Sequence, residues 1–292
     1  MQLVGYIFFL LLIGIFAILP FSLMYLFSNF VAFTLHRVVG YRKSVILKNL
    51  TWAFPDLSEN EKQKLLPKIY RNFSDIVLES LKGSTYPYKA MNKRHKFIAS
   101  DKFKALAETG EGNVVFAAHY ANWEWATITL NQQVPFQVIG LIKPLRNKYI
   151  HKFIERLRSK TKTGLVSIYG TKEALYRDYD QPTSIVYLSD QNPSNKEKAH
   201  RIIFFGKEAL ALQGASIFAS EHPNRPVWYF SIHRKRRGFY EVHPILLADN
   251  TKSLNKPEEL TQTYFNALEE QIRAKPENWI WSHKRWKGQI QY

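Results

Sequence analysis

The chain has 292 residues and a mass of 34.2 kDa, enough for one α/β domain with an appendage and short for two equal domains. With 46% hydrophobic and 22% charged residues it can bury a sizeable core, and having no cysteine it cannot build disulfide scaffolds, cysteine zinc sites, iron–sulfur clusters or thiol nucleophiles. Forty-one Lys and Arg against 24 Asp and Glu give a net charge of +17, which points to a polyanionic partner: nucleic acid, an anionic membrane surface, or an acidic protein or phosphorylated substrate.

From Leu3 to Phe21 the only polar side chain is Tyr6, and no charged residue precedes Arg37. A helix rises ~1.5 Å per residue and crosses the hydrocarbon core in ~20 apolar residues, so residues 1–36 are expected to form a membrane anchor and residues 37–292 the functional domain. Pro20 can split this stretch into a short span and a re-entrant turn, and a buried core helix is the alternative. A cleaved signal peptide does not fit, because residues 1–6 carry no Lys or Arg and no A-x-A follows. Arg37, Arg42, Lys43 and Lys48 all follow the apolar run, which by the positive-inside rule puts the domain in the cytoplasm.

The body of the chain shows no internal repeat and no linker, and reads as one domain. Ser58-x-x-Glu61 is a capping box, and Leu65, Leu66, Ile69, Phe73, Ile76, Val77 and Leu81 fall at helical spacing over residues 58–82. Beyond it Val114–Ala118, Phe136–Ile142, Leu165–Tyr169 and Ile185–Leu188 read as strands, and Trp123–Leu130, Lys148–Lys160 and Lys172–Tyr179 as helices. This alternation predicts an α/β fold: a mostly parallel central sheet flanked by helices, with the N-terminal membrane-anchoring helix attached. Val227–His233 and Phe239–Leu246 flank Arg234-Lys235-Arg236-Arg237-Gly238 as a hairpin, and a last helix, Pro257–Ala274, leads into an aromatic tail.

Chemistry concentrates in NVVFAAHYANWEWATITL. His119 would emerge at the carboxyl end of a strand, where open α/β sheets bind ligands, and Glu124 in the first turn of the next helix. A carboxylate at that spacing can hydrogen-bond one imidazole nitrogen and fix the tautomer, while the other nitrogen takes a proton from a hydroxyl. The first turn near Asn122 also offers backbone N–H groups for a phosphate or an oxyanion. His-x-x-x-x-Glu alone is a weak pattern. The chain lacks a G-x-S-x-G elbow, a P-loop, a G-x-G-x-x-G turn and an H-E-x-x-H pair, which removes hydrolase, nucleotide and zincin readings. Transfer to a hydroxyl from an activated thioester needs no enzyme nucleophile and fits the rest.

The string AAHYANWEW resembles the H-x-G-N-W-E signature of the late lipid A acyltransferase family, the lauroyl/myristoyl, lysophospholipid-type acyltransferases. Five further blocks resemble that family in its order: FPDLSENE, LIKPLRNKYIHKFIERLRS, YLSDQNP, IIFFGKEALALQGASIFA and PENWIWSHKRW. The resemblance implies His119 as base and Glu124 as its partner acid, with Asn122, Trp123, Arg158, Asp190 and Gln191 in substrate binding. It also implies no cofactor and no metal, an acyl carrier protein or coenzyme A thioester as donor, an anionic membrane lipid as acceptor, and a place at the bacterial inner membrane. Two positions depart from the family. Ala121 stands where Gly is frequent, so the loop is expected not to demand a positive φ there. Lys143 stands where many members have Arg, which replaces a bidentate fork by a point charge.

Other readings of these residues stay open. Arg158 fits a solvated helix face, Asp190 a turn cap before Pro193, and Phe204–Gly206 a strand and turn outside the site. The basic run His233–Arg237 suits docking of acidic carrier protein and headgroups, or a nucleic-acid patch on a non-catalytic scaffold, although no nucleic-acid motif accompanies it. Trp279, Trp281 and Trp286 with Lys284, Arg285 and Lys287 fit an interfacial belt or a tail packed on the core. Within the acyltransferase reading, the acceptor is a lipid A precursor or another lysolipid, glycolipid or aminolipid.

Overall fold

A computed structural model describes residues 2–159, 161, 163–169, 175–176, 179–252 and 254–292, the side chains of Ala107, Arg158 and Ser159 excepted. The helices are α1 (Gln2–Ile18), α2 (Phe21–Phe33), α3 (Lys43–Ala53), α4 (Glu59–Gly83), α5 (Tyr88–Asn92), α6 (Asp101–Thr109), α7 (Trp123–Thr129), α8 (Lys148–Ser159), α9 (Gly214–Glu221) and α10 (Pro257–Ala274). The strands are β1 (His95–Phe97), β2 (Asn113–Ala117), β3 (Gln137–Ile142), β4 (Gly164–Ser167), β5 (Thr183–Leu188), β6 (Ala199–Phe204), β7 (Lys207–Leu212), β8 (Val227–Arg236) and β9 (Phe239–Ala248). Most of the helix expected over Lys172–Tyr179 lies outside the described residues.

The main sheet has the order β1-β9-β8-β2-β5-β3-β4, and every neighbouring pair is parallel except the β8–β9 hairpin. A parallel sheet needs helices on both faces, and the period of two along each strand divides its side chains between them. Phe116 and Tyr229 pack on Tyr264 of α10, and Tyr187 on Phe218 of α9. Their chain neighbours Ala117, Phe230 and Val186 line a cavity under α7. The β6–β7 hairpin stands apart from the sheet; its turn puts Phe205 and Gly206 at positive φ, so Phe204–Gly206 is the end of a strand and a turn.

The N-terminal stretch breaks at Pro20, which ends the first helix and starts the second with no side-chain cap. Neither piece crosses a bilayer alone: among the described residues no single helix is long and apolar enough, and only the pair Phe21–Val38 and Lys43–Ala53, bent by 87°, passes together. Both pieces lie on α4. Lys82 Nζ donates to the carbonyls of Phe16 and Leu19 at 3.0 and 2.7 Å, satisfying the open end of α1. Leu3, Ile7, Phe8, Leu11, Leu23, Leu26, Phe30 and Phe33 stay exposed on the outer side of α1 and α2. The capping box opens α4, with Glu61 N–H on Ser58 Oγ and Ser58 N–H on Glu61 Oε2.

The basic hairpin turns inward. Arg234 and Arg237 both hydrogen-bond Asp75 of α4, whose side chain is fully buried and also accepts from Ser28 at 2.6 Å. Of the basic run His233–Arg237, His233, Lys235 and Arg236 stay exposed, while Arg234 and Arg237 are half-buried and committed to Asp75. The aromatic tail packs on the core: Trp279, Trp281, Arg285 and Trp286 are all at most 2% exposed, while Lys284 and Lys287 face solvent. An interfacial tryptophan belt is thereby ruled out.

Candidate active site

Parallel neighbours end at the same edge of a sheet, and this rule assembles the site. Ala117 of β2 pairs with Leu188 of β5, and Ser189 N–H continues the ladder onto Ala117 O at 3.1 Å. Two residues past each strand end, His119 and Asp190 therefore stand side by side although 71 positions apart, with His119 Nδ1 at 2.7 Å from Asp190 Oδ1. A carboxylate only accepts, so Nδ1 carries the proton and Nε2 presents its lone pair. Gln191 Nε2 lies 3.4 Å from that nitrogen. Trp279 Nε1 donates to the second oxygen, Oδ2, of Asp190 at 2.9 Å.

These contacts correct the partner expected from spacing: the carboxylate on Nδ1 is Asp190, and Glu124 instead accepts from Trp123 Nε1 at 3.1 Å. Glu124 acts on the imidazole through its charge. The Asp190 side chain is 0% exposed and that of His119 18%. Burial opposes ionising Asp190, but the charge and hydrogen bond of His119 and the Trp279 indole outweigh it and hold this carboxyl below its usual range. Burial likewise opposes protonating His119, but Asp190, by charge and hydrogen bond, and then Glu124 raise its basicity above that of a free imidazole. His283 stays neutral, pushed down to about 4 chiefly by burial, and accepts from Asn192 N–H at 3.1 Å.

The loop between His119 and α7 is held in one shape. Tyr120 bridges to Trp279, and Ala121 N–H donates to Asn278 O at 2.8 Å. Ala121 has φ 52°, so the expectation that an alanine here rules out a positive φ is overturned: the surrounding bonds impose the left-handed conformation on a residue with a Cβ. That Cβ is fully buried. Ala121→Val should lower the unfolding free energy by about 3 kcal/mol in denaturant titration, because a β-branched side chain adds overpacking to the left-handed penalty.

Asn122 caps α7, its Oδ1 accepting from Trp125 N–H at 2.9 Å, and it is fully buried, which places it beneath the site rather than on its surface. The Trp123 ring stands edge-on to His119 with centroids 5.1 Å apart. Arg158 lies on α8, but its side chain is outside the described residues. The structure thus brings together His119, Trp123, Asp190 and Gln191, sets Glu124 beside them, and gives Asn122 a supporting place.

Beside the His119–Asp190 pair lies an apolar cavity. Ala117 and Leu188, the last residues of β2 and β5, belong to its wall, as do Val138, Gly140, Leu165, Val186, Phe230 and Ile232, with Trp123 and Glu124 from α7. A proton acceptor next to a hydrocarbon-lined space suits chemistry at the head of a fatty chain. The sequence pattern described as bacterial lipid A biosynthesis acyltransferase matches residues 2–288.

The chain belongs to that family. It is 21% identical over 257 residues to a lipid A biosynthesis palmitoleoyltransferase of Escherichia coli (strain K12), covering 84% of this chain and 79% of the relative. A lipid A biosynthesis acyltransferase of Shigella flexneri matches to the same extent, and the lipid A biosynthesis lauroyltransferase of Escherichia coli (strain K12) is 21% identical over 86% of this chain and 81% of its own length. The protein is an acyltransferase.

Sequence reasoning missed the bonds from Trp279 and to Glu79 that brace this acyltransferase's site, and it read Asp190 as a substrate ligand or a cap rather than the partner of His119. One signal was present: Asp190 follows a strand run, as His119 does. Strand order, which places β2 against β5, was needed to use it.

Proposed function

We propose that this acyltransferase moves a fatty acyl chain from a thioester of acyl carrier protein or coenzyme A to a hydroxyl of a membrane lipid, a lipid A precursor. His119 Nε2 takes the hydroxyl proton, the oxygen attacks the thioester carbonyl, the C–S bond breaks, and the thiolate leaves with the proton that His119 returns. Asp190 holds the imidazole in the tautomer that exposes Nε2 and stabilises its charged form, the part the acid plays in Ser-His-Asp triads. The observation that carries the reading is the 2.7 Å bond from His119 Nδ1 to a buried carboxylate at the end of an apolar cavity.

In this reading the cavity takes the donor chain. Gly140 lines it, and a Cβ built there meets only Leu165 Cδ2 at 3.9 Å, so larger side chains grow into free space. Gly140→Leu should shift donor preference toward shorter chains by about tenfold in kcat/KM, the scale of one or two methylenes in an apolar pocket; competition between thioesters of different chain length reads it. The exposed apolar side of α1 and α2, followed by Arg37, Arg42 and Lys43, supports docking on the cytoplasmic face of the inner membrane. The reading as a whole is tested by offering acyl carrier protein and coenzyme A thioesters with a panel of hydroxylated lipids that includes under-acylated lipid A. Transfer to a lipid A precursor is the expected result. Transfer to no acceptor by folded protein overturns it.

A further inference from the structure

The His119 loop is also held from α4. Asn122, which caps α7 through Oδ1, donates its amide N–H to Glu79 Oε2 at 2.5 Å. The Trp125 indole donates to the Glu79 carbonyl at 2.8 Å. The two helices nearly touch, since a Cβ at Gly83 would lie 2.8 Å from Trp125 Nε1. The Glu79 carboxylate is fully buried, accepts from Tyr240 Oη of β9 and Tyr25 Oη of α2 at 2.7 Å each, and is pushed up to about 7 chiefly by that burial.

A buried carboxylate is a poor way to gain stability, because its desolvation offsets much of what its bonds return. The carboxylate's three donors, Asn122, Tyr240 and Tyr25, converge where the loop needs support, with Asn122 one residue from the strained Ala121 and three from His119. We propose that Glu79 is a positioning residue for acyl transfer: it clamps the cap of α7 through Asn122 and so holds His119 at the thioester. Through Tyr25 the same carboxylate ties the catalytic loop to the N-terminal apolar helices. The proposal rests on His119 acting in acyl transfer.

The test exploits the direction of one hydrogen bond. Asn122→Asp keeps the cap, because Asp caps as well as Asn, but sets a carboxylate against Glu79, whose own carboxyl is already pushed up to about 7; the pair shares a proton at low pH and is two opposed acceptors only at alkaline pH, where the variant is assayed. Its kcat should fall about 100-fold, the scale of a 1 Å misplacement, with KM for the thioester little changed. Adding Glu79→Gln should return kcat to within about tenfold of wild type, because the Gln amide donates to the new carboxylate while the tyrosine hydroxyls can donate or accept. Should Asn122→Asp not fold, Asn122→Ser keeps a cap too short to reach Glu79 and should show the same loss. Wild-type kcat in folded Asn122→Asp or Asn122→Ser, or no recovery in the double variant, overturns the clamp. A wild-type protein that transfers no acyl group overturns the acyl-transfer reading itself, so the two failures are distinguishable.

Discussion

His119→Ala should reduce acyl transfer about 10²- to 10⁴-fold, the contribution of a positioned general base. The effect belongs to Nε2, the nitrogen left free when Nδ1 is committed to Asp190. Removing the ring also leaves the buried Asp190 carboxylate with the Trp279 indole as its remaining side-chain donor, so some stability goes with it. His119→Asn isolates the chemistry, since its amide can still donate to Asp190 but offers no base. Both variants should lose activity to that extent, with His119→Asn unfolding closer to wild type in a thermal melt. Full activity in a folded His119→Asn protein would remove this residue from the mechanism. Glu124→Gln keeps an acceptor for the Trp123 indole and removes the charge that supports the His119 imidazole after Asp190, so its loss should be the smaller one.

Asp190→Asn should cost about as much, up to about 10⁴-fold, where an amide replaces the acid that fixes a catalytic imidazole. An amide N–H facing Nδ1 favours the tautomer with the proton on Nε2, which is the wrong one for a base. The pH profile separates this loss from simple misfolding. Asp190 is the main reason the His119 pKa is raised, and the base works only when neutral, so wild-type activity should fall as pH drops through that raised value. In Asp190→Asn the pKa drops, and the acid limb of the residual activity should move to lower pH. A lowered rate with an unmoved acid limb would mean that the limb belongs to another group, such as Glu79, whose carboxyl is pushed up to about 7.

Much of the architecture was legible in the chain. The last helix runs over Pro257–Ala274 as its periodicity indicates, and the capping box at Ser58 forms in both directions. Strands β2, β3 and β5 coincide with the apolar runs within two residues at each end. Such features are written locally, because capping and a period of 2 or 3.6 depend on neighbours within a turn or a pleat. His119 at a strand end followed by Glu124 was legible for the same reason.

Partners chosen across the sheet were not legible. Glu124 is five positions from His119, yet Asp190 takes Nδ1 because β5 runs parallel beside β2 and releases it at the same edge. Arg234 and Arg237 look like a surface patch in the sequence, but the hairpin lays them against Asp75, some 160 positions earlier, where burial makes a paired cation the favourable state. Ala121 is forced to φ 52° by bonds from Asn278 and Glu79 through Asn122, against its own preference. Local pattern by itself determined elements such as α4, α10, β2, β3 and β5 and that a histidine stands at a strand end; strand order decided which carboxylate holds that imidazole, because burial and hydrogen-bond direction depend on which side chains meet in space.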